Sequence, residues 1–253
     1  MKYLSFFFIL LCAASLMIAQ SVPELVSEAE RYATVTFENQ KALEKLRQAE
    51  KIEPNNYDVL WRISRAYVDI GEHLPGATDA EKEKQLEYYQ QALNYAEKAI
   101  AAAPNASTGY VRRAIANGRV ALFKGVWSAI DFVKQTKADC EKAISIDPND
   151  HVAYYILGRT HAKLCEKSKV IRWPLGLGWA NMDDAIMNYE KAIALRSNFI
   201  MYRLDAARAY VEEEEYKKAK DHLIAASTFP KQDEDDDQYR KEAKELLEKM
   251  KDK

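Results

Sequence analysis

Apolar and small residues recur along this chain at alternating intervals of three and four, the spacing that gathers them on one face of a helix. The clearest stretch is 149–195, which opens NDHVAYYILGRTHAKLC and closes MDDAIMNYEKAIAL. In its first half Tyr154, Leu157 and Gly158 keep an aromatic-x2-Leu-Gly spacing, and His161 follows in a second aromatic place. In its second half Ala185, Tyr189 and Ala192 keep a small-x3-aromatic-x2-small spacing. Together they predict two antiparallel helices. Small residues let the backbones approach, and aromatic ones fill the hollow between successive pairs.

Weaker copies flank this stretch. Upstream, Ala42, Leu46, Ala49 and Pro54 match a second helix and its terminal proline, while the half around Leu25, Ala29 and Tyr32 is poor, as suits an end unit without an upstream neighbour. Leu60, Ile63 and Tyr67 then hold large places, with Ser64 where glycine is usual, and GEHLPGATDAEKEK is inserted. Thr78 and Glu81 have capping-box spacing and predict a helix restart. From there Leu86, Tyr89, Leu93, Ala96, Ile100 and Ala103 form one stripe down a long helix ended by Pro104. The next unit runs from Ser107 to Pro148, with Cys140 and Ala143 in second-helix places and Thr136 departing from the small-residue preference. KVIRWPLGLGWAN interrupts the unit after that, and Ser197 stands in its proline place. A regular unit follows from Ile200 to Pro230, with Ala207, Tyr210, Tyr216, Ala219, Leu223 and Ala226 on pattern. KQDEDDDQ reads as an exposed acidic linker, and Tyr239, Ala243, Leu246, Leu247 and Met250 make the stripe of a closing helix.

These spacings resemble the tetratricopeptide repeat, although Pro54 and Pro104 are 50 residues apart, against about 34 in an ordinary repeat. The expected fold is all-α: a right-handed superhelical solenoid of helical hairpins with elongated, inserted middle repeats and a C-terminal capping helix. The expected divisions are a signal segment at 1–20, a repeat domain at 21–230, and the linker with capping helix at 231–253. Within the repeat domain lie a partial first repeat at 21–56 and repeats at about 57–106, 107–150, 151–199 and 200–230. Over roughly 58–250 the chain resembles the regulator of microtubule dynamics family more specifically. LWRISRAYVDIGE, KAISIDPNDHVAYYILGRTH, DDAIMNYEKAIAL and PKQDEDDDQYRKEAKELLEKM carry the likeness, as do the order and lengths of the insertions. The resemblance implies the scaffold. Animal members include microtubule-associated and organelle-tethering proteins, and one is described as binding phospholipid through this domain, but the amino terminus here argues against carrying over a microtubule role.

Residues 1–20, MKYLSFFFILLCAASLMIAQ, have one Lys, an apolar core and small residues near Ala19, the layout of a secretory signal cleaved near Ala19 or Gln20. Left uncleaved, the segment would anchor the chain in a membrane. With cleavage the expected location is exported, periplasmic or secreted; the membrane-anchored form is the alternative. Cys140 and Cys165 are then the only cysteines of the mature chain. On adjacent antiparallel helices they would sit about 15 Å out of step, too far for a bridge, so free and mostly buried thiols are expected. A net charge of -2 provides no excess of cations to follow a phosphate backbone, which argues against nucleic acid as a partner. No metal-ligand spacing links His73, His151, His161 and His222, and no phosphate loop, catalytic-serine or catalytic-cysteine signature is present. No cofactor or enzymatic activity is therefore expected, and Asp233 to Asp237 lack calcium-loop spacing.

In such arrays the first helix of each hairpin lines a concave groove. Arg65, Arg159 and Arg208 hold equivalent places there, with Ile115 in the third unit. Arg119 and Lys163 fall one turn later, and Trp61, Tyr155 and Leu204 one turn earlier. Guanidinium groups beside aromatic rings suit a carboxylate or phosphate, so an acidic peptide or an anionic lipid headgroup is the expected ligand chemistry. The competing structural reading pairs these arginines with acids such as Asp58, Asp69 and Glu212. A second candidate is the RWPLGLGW loop, where Trp173, Leu175, Leu177 and Trp179 either touch a membrane or partner or fold back onto their own hairpin. The function these features support is a protein-binding scaffold, with an anionic-phospholipid module as the alternative and an envelope assembly factor as a third reading.

Overall fold

A computed structural model of the chain describes residues 20–253, so the expected signal segment lies outside the described residues. Among the described residues ten long helices form five antiparallel hairpins. The first pairs α1 (Val22–Arg31) with α2 (Asn39–Ile52), and the second pairs α3 (Tyr57–His73) with α4 (Asp79–Ala102). The third pairs α5 (Ser107–Ala121) with α6 (Val126–Ile146). In the fourth, α7 (His151–Cys165) and α9 (Met182–Leu195) flank a loop holding the one-turn α8 (Lys169–Arg172). The fifth pairs α10 (Ile200–Glu212) with α11 (Tyr216–Thr228), and α12 (Asp236–Lys249) closes the chain. The first unit is thus a full hairpin. Its weak sequence signal reflects a ten-residue first helix that runs into a π-turn at Tyr32–Thr36 and ends on Phe37 at φ 55°.

Local chemistry sets the boundaries. Asn56, Asp150 and Asn181 side chains accept from the third residue of α3, α7 and α9, satisfying backbone donors that an open helix end leaves unpaired. Thr78 and Glu81 form the expected capping box at the start of α4, whose 24 residues extend about 36 Å. The small residues lie where helices cross: Ala42, Ala92, Ala96, Ala143, Ala185, Ala192, Ala219 and Ala226 are all buried. A Cβ on Gly158 would stand 3.0 Å from the Ala185 carbonyl oxygen, so glycine there sets the α7–α9 spacing. Ser64 and Thr136 replace small apolar residues at no polar cost. Ser64 Oγ donates to the Ala92 carbonyl at 2.7 Å, and Thr136 Oγ1 to that of Phe132 at 2.9 Å.

Each hairpin packs on the next, and successive first helices also touch one another, α3 on α5, α5 on α7 and α7 on α10. First helices therefore form the inner layer of a curved array. The expected capping helix packs on α11 and also turns inward onto α10, burying Ala243 and Met250 with Leu223 and Tyr210. Among the described residues both cysteines are free, Cys140 buried and Cys165 half-buried. Among the described residues no helix is long and apolar enough to cross a membrane.

Candidate functional site

The acidic stretch expected to be a solvated linker is instead a strap. Residues 232–235 are half-buried and Asp236 is buried. The Asp236 carboxylate accepts from the Gln232 and Asp233 amides at 2.7 and 2.8 Å, which folds the acids into a tight turn at the start of α12. That turn reaches the opposite end of the array. Asn39 Nδ2 on α2 donates to Glu234 Oε2 at 2.8 Å, and His73 Nε2 on α3 meets Asp235 Oδ1 at 3.2 Å. Lys231 lies over the Phe37 ring. Composition alone shows the charge of this segment; only the curvature of the array brings α2 and α3 to meet it.

Inside the curve, the expected arginine row divides into two groups. Arg119, Arg159, Lys163 and Arg208 border one hollow of about 730 Å³, whose remaining wall includes Ile115, Leu122, Ile156, Met182 and Ala209. Its pivot is Asp205, which the sequence reading did not single out. Asp205 accepts from Arg208 Nη1 and from the Tyr155 hydroxyl, each at 2.7 Å, and lies 3.6 Å from Arg159 Nε. Arg208 also reaches Glu242 on α12, Arg119 pairs with Glu72 on α3, and Lys163 with Glu166.

Tyr155 and Leu204 are corrected from groove contacts to core. Tyr155 is 2% exposed and stacks on Tyr202 of the following repeat at 4.4 Å between ring centroids, because adjacent first helices pack closely at that turn. Leu204 is likewise buried.

Arg65 belongs to the second group. Its two terminal nitrogens both lie 3.0 Å from the Glu30 carboxylate on α1, a fork-to-fork pair. Burial opposes ionisation of Glu30, but Arg65 and Arg62 outweigh it and hold its pKa below the ordinary value. Trp61 presents its ring to Arg62, Arg65 and Arg112, and its Nε1 donates to Asp58 at 3.2 Å. Arg112 was missed because α5 turns residue 112, not 115, toward Trp61. Asp69 lies 3.9 Å from Arg65 Nε, and burial pushes its carboxyl up to about 7 against the pull of Arg65 and Arg112.

The RWPLGLGW loop divides as well. Arg172 is buried and donates to the carbonyls of Lys167, Leu177 and Ala180 at 2.9, 3.2 and 2.7 Å, pinning the loop onto itself. Leu177 is consequently buried, Leu175 is half-buried, and Trp179 packs edge-on against His161 at 4.9 Å. For these three the fold-back alternative applies and not the exposed contact surface. Trp173 alone of the four projects outward, 71% exposed, joined by Val170 and Ile171. His161 is a packed residue, its pKa lowered by burial.

Stacked hairpins with small crossing residues and an inner layer of first helices define a tetratricopeptide-type helical repeat protein. Two solved structures share the fold. A thermophilic tetratricopeptide protein of Thermus thermophilus superimposes with a TM-score of 0.69 at 16% identity, covering 90% of this chain and 99% of its own. Pseudomonas aeruginosa pilF gives 0.55 at 13% identity, covering 91% of each chain.

The family model for regulator of microtubule dynamics proteins 1-3 matches residues 25–251, and the chain belongs to that family. It is 27% identical to mouse regulator of microtubule dynamics protein 1 over 93% of this chain and 77% of the mouse protein. It is also 27% identical to rat protein 3, over 75% of this chain but only 40% of the rat protein. Fold and family point to a non-enzymatic protein. Among the described residues no group of three or more His, Cys, Asp or Glu is placed to hold a metal ion.

Proposed function

We propose that this chain is a non-enzymatic scaffold that binds a segment of a partner protein along its concave channel. The hollow bordered by α5, α7 and α10 carries the reading, because it sets apolar side chains beside cations. Ile115, Ile156 and Met182 offer anchoring surface, while Arg119 and Lys163 flank it. Such a mixture suits a peptide that combines apolar and acidic residues. A photo-crosslinking residue at Ile156 is expected to capture a partner protein in the native envelope, and the same residue at the exposed Met187 of α9 is not. Equal capture at both positions, or none at Ile156, would rule the channel out.

The same wall also suits an anionic phospholipid, with its headgroup on the cations and an acyl chain on the apolar side. A copurified acyl chain detected by mass spectrometry would favour this second reading over a peptide. Residues 1–20 support an exported location for the scaffold. Amino-terminal sequencing of the chain from its native host is expected to begin at or near Ser21, and an intact Met1 would leave the anchored form.

A further inference from the structure

Cations in a protein groove are normally matched by nearby acids, since leaving one unpaired away from bulk water costs free energy. The inner arginines mostly obey: Arg65 is held by Glu30, Arg119 by Glu72, and Arg159 and Arg208 by Asp205. Arg112 differs. Among the described residues it has no hydrogen-bond partner and no carboxylate oxygen within 4.0 Å, and its Nε is buried without a partner. It faces a like charge, because Arg112 and Arg65 lie over the same Trp61 ring at 5.4 and 5.6 Å from the centroid, and Arg65 Nε is also unsatisfied.

We propose that Arg112, backed by Arg65 and floored by Trp61, is a seat for a carboxylate carried by an acidic segment of a partner protein. This rests on the channel reading above and names the chemistry of its partner. The guanidinium offers planar donors, and the indole beneath holds it in place. Burial and the neighbouring Arg65 lower the Arg112 pKa to about 10, so an arriving anion relieves a repulsion already present. Asp69, Asp150 and Glu30 only partly offset that repulsion. The occupant follows from charge: an unpaired guanidinium beside a second one calls for an anion, and the chain's own Asp233–Asp236 turn shows an acidic segment docking on this array, against Asn39 and His73.

Fluorescein-labelled hexaglutamate, followed by anisotropy with the full chain, tests the seat. Wild type is expected to bind it, Arg112→Gln to weaken binding about tenfold or more, and the exposed Lys142→Gln to leave it unchanged. Thermal melting gives an independent reading. Loss of an unmatched cation is expected to hold or raise the melting temperature, whereas a clear drop would show Arg112 to be structural and overturn the proposal. Equal affinity of wild type and Arg112→Gln, or no hexaglutamate binding at all, would also overturn it. If inorganic phosphate or phosphatidic acid vesicles bind through Arg112 while hexaglutamate does not, the seat takes phosphate and the acidic-protein partner is wrong. Capture at Ile156 that persists while hexaglutamate fails would remove the seat alone; loss of both would remove the channel.

Discussion

Asp139→Ala is expected to destabilise the protein by about 3–5 kcal/mol, since it strands a buried ion pair. Asp139 is only 2% exposed, yet it accepts from Arg113 Nε and Nη2 at 2.8 and 2.6 Å and from Gln135 at 2.9 Å. Truncation leaves the guanidinium without its fork partner inside the α5–α6 hairpin. Arg113 retains some access to water, which places the cost toward the lower end of the range. For a chain of this size the melting temperature should fall by about 2–4 °C per kcal/mol. The double variant Arg113→Met with Asp139→Leu should recover most of the loss, because the apolar pair removes both charges together. A loss under about 1 kcal/mol for Asp139→Ala would mean that the pair does not lock the hairpin. The consequence reaches function, since α5 carries both Arg112 and Arg119.

Releasing the acidic strap should have the largest effect on shape. Glu234→Gln combined with Asp235→Asn removes the charges that meet His73, and the weakened Asn39 contact leaves little to join the two ends. Hydrogen exchange in α2, α3 and α12 is expected to speed up, while α5 and α6 at the centre keep their protection. The contact also depends on pH. Burial works against a charged His73, but the Asp69 backbone carbonyl, Asp235 and Glu234 together raise its pKa above the ordinary value. A raised histidine stabilises fully below its unfolded value of about 6.5, and that contribution is lost as pH rises through the folded value. The strap should therefore loosen from mildly acidic toward alkaline pH, with Glu72 and Asp69 as the other acids near this face. His73 is partly exposed, so salt should reduce the effect. Exchange in α12 that is identical at pH 6 and 8 would count against the histidine contact.

Helices and their pairing were legible because close crossings demand small side chains at fixed intervals, as Gly158 with Ala185 illustrates. The Thr78 capping box was equally readable, since its two partners are local. Features that depend on the curve of the array were not. Tyr155 sits one turn before Arg159 and so reads as a groove residue, yet the next repeat brings Tyr202 onto its face. Asp205 looks ordinary in sequence, but it gathers Tyr155, Arg159 and Arg208 from two helices. The strap reads as solvated charge because its partners on α2 and α3 lie more than 150 residues away. In the RWPLGLGW loop, Arg172 is a cation that spends its donors on backbone carbonyls, a role that charge patterning does not reveal.

Pulsed electron resonance between spin labels at Lys41 on α2 and Gln238 on α12, with Cys165→Ser to remove the more accessible native thiol, tests the bridged channel most directly. A single narrow, short distance that broadens and lengthens in Glu234→Gln/Asp235→Asn is the result expected of an array whose ends are clasped. A broad or long distribution in the wild-type chain, unchanged by those substitutions, would contradict it.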